Sequence, residues 1–169
     1  MLGSHAKVRV RSGKAADAKT LARIFTESWL LAYRGIIPHL HLDNMIRQRT
    51  PEWWRDAIKG GDSMLVLETA GTVAGYATLG SSRQRSAYQG EIYELYLDPI
   101  YQGLGLGEHL FEGCRHTLDM RKLNGLIVWA LIDNTAACNF YWRRGGRPIA
   151  SAFTRIGGAR LEKVAFAWR

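Results

Sequence analysis

Residues 101–115 read YQGLGLGEHLFEGCR: glycine at 103, 105 and 107, then helix-forming sequence without a break. Glycine costs backbone entropy and packs no side chain, so three of them at the mouth of a helix need a reason. A helix N-terminus carries unpaired N–H groups and a partial positive charge. Glycines in front of it let an anion reach those donors without meeting a Cβ. Strand, glycine loop and helix in succession therefore make a phosphate seat. A tight strand-to-helix turn is the plainer explanation, and the glycines alone do not separate the two.

Spacing narrows the choice. A dinucleotide loop needs G-x-G-x-x-G, and the last glycine is replaced by Glu108 counting from Gly103 or by Leu110 counting from Gly105. A Walker loop needs Gly-Lys-Ser/Thr, and no lysine occurs in this stretch. What remains is Gln102-x-x-Gly105-x-Gly107.

The rest of the chain reads as alternating strands and helices. KVRVR at 7–11 alternates like a short strand. Leu21, Ile24, Phe25 and Trp29 give Ala15 to Tyr33 a helical period. RGIIPHLHLD breaks that helix, and shorter helical pieces are expected around 43–59, one starting at Pro51-Glu52. SMLVLETAGTVAGYATLG predicts two strands about a tight turn at Ala70-Gly71, and GEIYELYLDP a third, stopped by Pro99. The glycine loop then opens a helix to about Arg121, with Leu106, Leu110, Phe111, Cys114 and Leu118 on one face. GLIVWALID predicts a buried strand. NTAACNFYWRRGG predicts a short helix capped by Asn134 and stopped by Gly145. Two final runs, 147–156 and 160–168, flank Gly157-Gly158 as a hairpin. The order βα, ββ, βαβα, ββ predicts one mixed α/β domain over residues 1–169.

Composition bounds the function. The formal charge is +8 over 169 residues, which favours acidic partners such as phosphate-bearing molecules. The basic residues are scattered without a run of five, which argues against a dedicated nucleic-acid binder. No apolar stretch reaches membrane-span length, and the basic start lacks a signal core, so no membrane partner is expected. The Gly-Ser-His at 3–5 resembles a cloning scar and carries no functional weight. Cys114 and Cys138 lie far apart and form no CxxC, which fits a cytoplasmic location.

Two motifs in order carry a resemblance. Gln102-x-x-Gly105-x-Gly107 after LYLDP resembles the pyrophosphate loop of the GNAT family of N-acetyltransferases. Asn134-x-x-Ala137-x-x-Phe140-Tyr141-x-x-x-Gly145 resembles the next motif of that family, and ESWLLAYRGIIP its first helix. Gly146 departs from the pattern by standing where the family usually has Phe, a change expected to loosen packing after the helix. The likeness runs from about Val8 to Trp168. It implies an α/β (α+β) GNAT-type acyl-CoA N-acyltransferase fold: a central mixed, mostly antiparallel sheet splayed between two parallel strands, with helices on both faces. It implies acetyl-CoA as cosubstrate, no metal, and a small-molecule or protein amine as acceptor, with direct attack in a ternary complex. A homodimer is implied by analogy alone. The rival from another class is a non-catalytic acyl-CoA-binding sensor.

The resemblance also implies roles. The diphosphate would take N–H groups of Gly103, Leu104, Gly105, Leu106, Gly107 and Glu108, with Gln102 nearby. The backbone of Leu95, Tyr96 and Leu97 would line the acyl and pantetheine groups, with the Leu97 N–H polarising the thioester carbonyl. Asn134 and Asn139 are further contacts. Tyr141 would protonate the leaving thiolate. An alkylammonium with a pKa near ~10.4 must lose a proton before attack. Glu91 matches the base position in one branch of the family, and even spacing puts it on the Leu97 face of the strand. Glu94, on the other face, is the second candidate. Trp29, Tyr33 and Arg34 end the first helix near the acceptor opening. His39-x-His41 with Asp43 suggests a metal on paper, but no further ligand set is visible.

Overall fold

A computed structural model describes residues 7–61 and 63–169; the Gly-Ser-His at 3–5 lies outside them. The alternating segment that follows forms β1 (Val8–Ser12). A short 3-10 turn, Ala15–Asp17, leads into α1 (Ala18–Tyr33) with Leu21, Ile24 and Phe25 buried. The helix expected from Ala15 therefore begins as a tighter turn. There the Asp17 carboxylate accepts the Lys14 N–H at 2.8 Å and is paired with Arg11 at 2.8 Å.

The next helical pieces are α2 (His39–Gln48) and α3 (Pro51–Lys59). The first starts directly after Pro38 rather than near residue 43. The hydroxyl of Thr50 caps α3 by accepting the Trp53 N–H. β2 (Met64–Thr69) and β3 (Thr72–Ser81) are joined through Ala70 and Gly71, both at positive φ (51° and 78°), as a two-residue primed turn requires.

The second half runs β4 (Gly90–Leu97), a 3-10 turn at Pro99–Tyr101, α4 (Leu106–Met120), β5 (Leu126–Leu131), α5 (Thr135–Arg143), β6 (Arg147–Ile156) and β7 (Ala159–Trp168). Asn134 caps α5 by accepting the Ala137 N–H at 3.2 Å, and Gly145 stops it at φ 95°. Among the described residues no helix is long and apolar enough to cross a membrane.

The seven strands form one sheet in the order β1-β2-β3-β4-β5-β7-β6. Every neighbouring pair is antiparallel except β4 and β5, which pair in parallel at only two positions, Gly90↔Leu126 and Glu91↔Ile127. Beyond them the two strands part. β4 stays attached to β3 and β5 to β7, so the sheet divides into two wings that share one end.

Each face carries its own core. α4 and α5 cover one, where Leu110, Phe111 and Cys114 pack with Leu67, Leu79, Ile92, Val128 and Tyr141. α1 and α3 cover the other, where Leu21, Ile24, Phe25 and Trp54 pack with Val66 and Tyr76. Burying each such side chain stabilises the fold by about 1.5–3 kcal/mol relative to leaving it exposed.

Two details overturn expectations. The register of β3 against β4 jumps from Thr78↔Glu94 to Leu79↔Ile92, which leaves Tyr93 as an extra residue. A bulge of this kind reverses the face of everything beyond it. Ile92 accordingly shares the α4 face with Leu95 and Leu97, while Tyr96 packs on the α1 face. Glu91, next to Ile92, therefore lies on the face opposite Leu97, contrary to the even-spacing argument.

The second concerns Gly146. A Cβ placed on it would stand 2.4 Å from Trp168 Cζ2. The Trp168 indole occupies the space where the family's Phe is expected, and its N–H donates to the Arg144 carbonyl at 3.0 Å. Packing after α5 is thus filled from the last strand rather than loosened.

Candidate active site

The glycine loop is fixed at its base by Asp98, the aspartate of LYLDP. Asp98 is fully buried, accepts the Ile100 N–H at 3.2 Å and pairs with Arg23 of α1 at 3.0 Å. The Gln102 amide then donates to the Leu97 carbonyl at 3.3 Å. Gly103 and Gly105 both sit at φ 77°, the left-handed region that strains any residue with a Cβ. A Cβ at either would meet no protein atom within 4 Å, so the space in front of the loop is open. Among the described residues the N–H groups of Gly103, Leu104 and Gly105 reach no backbone acceptor, and Gly105 gives α4 no side-chain cap. These free donors at the positive end of a 15-residue helix fit a diphosphate. Gly107 serves a different purpose: a Cβ there would stand 3.1 Å from the Phe140 ring, so it lets α5 approach α4. Glu108 is exposed and pairs loosely with Arg144 at 3.7 Å.

A cavity of about 290 Å³ opens where β4 and β5 part. Tyr93, Glu94 and Tyr96 line it from β4, and Trp129, Ala130 and Leu131 from β5. Trp29 and Tyr33 of α1 close one side; Thr154 and Ile156 of β6 and Lys163 of β7 close the other. A separate cavity of about 300 Å³, lined by Tyr88, Asn124 and Arg169, lies at the paired end of the two strands and touches none of these groups.

Tyr141 of α5 lies in the α4-face core, buried among Phe111, Phe166 and Trp168, and is not part of the cavity lining. Burial, with Tyr33, Cys114 and Cys138 nearby, pushes its hydroxyl pKa far above the ordinary tyrosine value, so it stays protonated. Tyr33 and Tyr96 hydrogen-bond to each other through their hydroxyls, and burial raises both. Leu95 and Leu97 send their side chains into the α4-face core, which leaves only their backbone to the gap. Asn134 spends its side-chain oxygen on the α5 cap, and Asn139 is exposed.

The two carboxylates expected near the chemistry differ sharply. Glu91 is 1% exposed, accepts the Arg83 N–H at 3.0 Å and pairs with the Arg83 guanidinium at 2.6 Å. Both its oxygens are engaged in anchoring the 82–89 loop, and it does not line the cavity. Glu94 does line it. The guanidinium of Arg49 meets Glu94 in a two-pronged pair at 2.8 and 3.0 Å, and the Tyr76 hydroxyl donates at 2.8 Å. Arg49 is itself stacked between Phe25 and Trp53, at 4.4 and 4.3 Å from the ring centroids.

Trp29 and Tyr33 thus stand where the sequence suggested. Arg34 does not: it is exposed at the end of α1 and lies outside the cavity lining. His41 packs against Gly157 at the tip of the β6–β7 hairpin, where a Cβ would meet it at 2.6 Å. Arg49, Tyr76, Trp129 and Lys163 escaped sequence reasoning. Arg49 follows α2, Tyr76 lies on β3, Trp129 on β5 and Lys163 on β7, and none belongs to a motif.

The model of the acetyltransferase (GNAT) family matches residues 21–146. The chain belongs to this family. As a GNAT protein it is an N-acetyltransferase by class. YuaI, an uncharacterised N-acetyltransferase of Bacillus subtilis (strain 168), is 28% identical over 163 residues, 95% of this chain and 92% of its own length. A mycothiol acetyltransferase of Nocardia farcinica is 42% identical, but over 59 residues, 35% of this chain and 20% of its own length. Among solved structures, PaiA N-acetyltransferase of Thermoplasma acidophilum, crystallised with coenzyme A, superposes with TM-score 0.73 at 20% identity, covering 93% of this chain and 98% of its own. YncA of Salmonella typhimurium, crystallised with acetyl-CoA, gives 0.69 at 21%, covering 96% and 93%. At those identities the likeness speaks for the GNAT fold.

Proposed function

We propose that this GNAT protein transfers acetyl from acetyl-CoA to a primary amine seated beside Glu94, by direct attack with both reactants held in the β4–β5 gap. The parting of β4 and β5 carries this reading: it leaves strand backbone unpaired next to a cavity that both strands line. Acetyl-CoA supplies an activated acyl thioester. The free N–H groups from Gly103 to Gly107 bind its diphosphate, and the unpaired edge of β4 holds the arm between the wings. The Leu97 N–H polarises the acyl carbonyl. The Tyr141 hydroxyl, kept neutral by burial, gives its proton to the departing sulfur.

On the acceptor side Glu94 takes the role first assigned to Glu91. A carboxylate offers about four lone-pair sites. Arg49 and Tyr76 occupy three at Glu94, two on Oε1 and one on Oε2. The fourth, on Oε2, is left to orient the acceptor nitrogen and, directly or through water, take its proton. Trp29, Tyr33 and Tyr96 surround that nitrogen with aromatic faces, which suit a cation before deprotonation.

The test is thiol release from acetyl-CoA with a panel of small amines and peptides. Turnover with some amine is expected, reduced by ~10²-fold or more in Tyr141→Phe, the usual contribution of a general acid. Tight coenzyme A binding with no turnover across the panel would instead identify an acyl-CoA sensor.

A further inference from the structure

The charges lining the cavity do not balance. Arg49 is neutralised by Glu94 and Arg83 by Glu91. Lys163 has no acidic partner within ion-pair distance among the described residues. Its neighbour Glu162 points to the other face of β7, as strand alternation dictates. The Lys163 ammonium instead lies 4.6 Å from the centroid of the Trp129 ring, half-buried at the wall of the cavity. A lysine covering a tryptophan is common and modestly stabilising on its own. Here, however, Lys163 and Glu94 line one cavity from different wings of the sheet, and a second donor accompanies the lysine. Thr154 of β6 pairs with Leu161, two residues before Lys163 on β7. Thr154 and Lys163 therefore project from the same face, and both line the cavity.

We infer that the acceptor carries an anionic group, a carboxylate or a phosphate, a few bonds from its amine, and that Lys163 with Thr154 receives it. The amine end meets the free lone pair of Glu94, and the anionic end meets Lys163, the cavity-lining cation without an acidic partner among the described residues. An acceptor with positive charge at both ends would place its second charge against Lys163. This assignment rests on the acetyl-transfer reading above and names the substrate class for it.

The experiment compares matched acceptors: β-alanine and 4-aminobutyrate against alkylamines of equal length, and phosphoethanolamine against ethanolamine. One charge-assisted contact corresponds to a gain of about tenfold in kcat/KM for the anionic member, expressed mainly in KM. The carboxylate and phosphate arms distinguish which anion the site takes. In Lys163→Glu the preference should invert toward diamines, and in Lys163→Gln the ratio of kcat/KM within each matched pair should fall to about one. Equal kcat/KM within each matched pair, or a preference unchanged in Lys163→Glu, overturns the inference while leaving acetyl transfer intact. Binding is read separately through the fluorescence of Trp29 and Trp129 in the presence of coenzyme A. Quenching by anionic amines with no acetyl transfer to any amine of the panel supports the Lys163 site and removes the transfer reading. No quenching and no turnover with any anionic amine removes the assignment itself.

Discussion

Arg49 clamps Glu94 with both prongs of its guanidinium while its own face is stacked on Phe25 and Trp53. The stacking fixes the plane of the arginine, and the arginine fixes the carboxylate. Arg49→Lys keeps the charge but loses the fork. It should lower kcat/KM by about tenfold or more through misplacement of Glu94. Arg49→Leu should also cost about 2 kcal/mol of stability, the worth of a charged hydrogen-bonded partner. Steady-state kinetics and thermal melts measure the two. Glu94→Gln should reduce kcat/KM by ~10²-fold, the scale of acid–base assistance. Glu91→Gln should cost less than about tenfold, because Glu91 holds the 82–89 loop through Arg83 and does not line the cavity. The reverse ranking of the two carboxylates would restore Glu91 as the base.

Gly105→Ala separates the binding role of the loop from its folding role. The left-handed φ costs about 1–2 kcal/mol for a residue with a Cβ, but the new methyl meets no protein atom. The larger effect should fall on coenzyme A, with Kd raised about tenfold or more as the methyl enters the space assigned to the diphosphate. Gly107→Ala should act the other way, lowering stability through contact with Phe140 and changing Kd less. Calorimetric titration of both variants with coenzyme A checks this, and an unchanged Kd in Gly105→Ala would remove the phosphate-seat assignment.

Trp168 and Gly146 should behave as one packing unit. Gly146→Ala places a Cβ 2.4 Å from the indole and should cost about 1–3 kcal/mol by overpacking. Trp168→Ala should cost about 3–5 kcal/mol by opening a cavity. Gly146→Phe combined with Trp168→Ala should be more stable than the sum of the single changes, by about 1 kcal/mol or more. Urea unfolding of Gly146→Phe, Trp168→Ala and their double variant gives the coupling directly. Additive losses would mean that the two residues do not share the volume.

Stability should decline in alkali. Burial raises the Cys114 thiol from 9.0 to about 12. A group whose folded pKa is raised favours the fold fully below its unfolded pKa and loses that contribution as pH climbs toward the folded value. The melting temperature should therefore hold up to about pH 9 with respect to this thiol and fall between there and about 12. Cys114→Ala should flatten part of that slope, at a cost in packing. The buried hydroxyls of Tyr76, Tyr96 and Tyr141, all raised by burial, add to the decline from about pH 10 upward. A Cys114→Ala slope identical to the parent's would place the effect elsewhere.

Much of the site was legible because its chemistry is local. The turn from Gln102 to Gly107 is shaped by backbone conformation and helix polarity, which depend on residues adjacent in the chain. Asn134 and Gly145 mark the ends of α5 by caps that reach only three or four residues, and the spacing of Tyr141 from Asn134 fixes which turn of that helix it occupies. Glu91 shows where such reasoning stops. Counting by twos along a strand presumes an unbroken ladder, and the extra residue at Tyr93 breaks it. Nothing in GEIYELYL announces that insertion, because a bulge is decided by how β4 fits β3.

The sequence alone determined the order of elements, the family resemblance and the glycine turn ahead of α4, since periodicity, glycine placement and capping are properties of short stretches. Only the tertiary structure decided which carboxylate lines the cavity and which of its lining cations has no acidic partner among the described residues, and it set Trp168 where the family pattern has phenylalanine. Those outcomes depend on residues such as Arg49 and Glu94, 45 positions apart. Their meeting is settled by how two wings of a sheet pack against different helices, not by anything either residue's neighbours in the chain can specify.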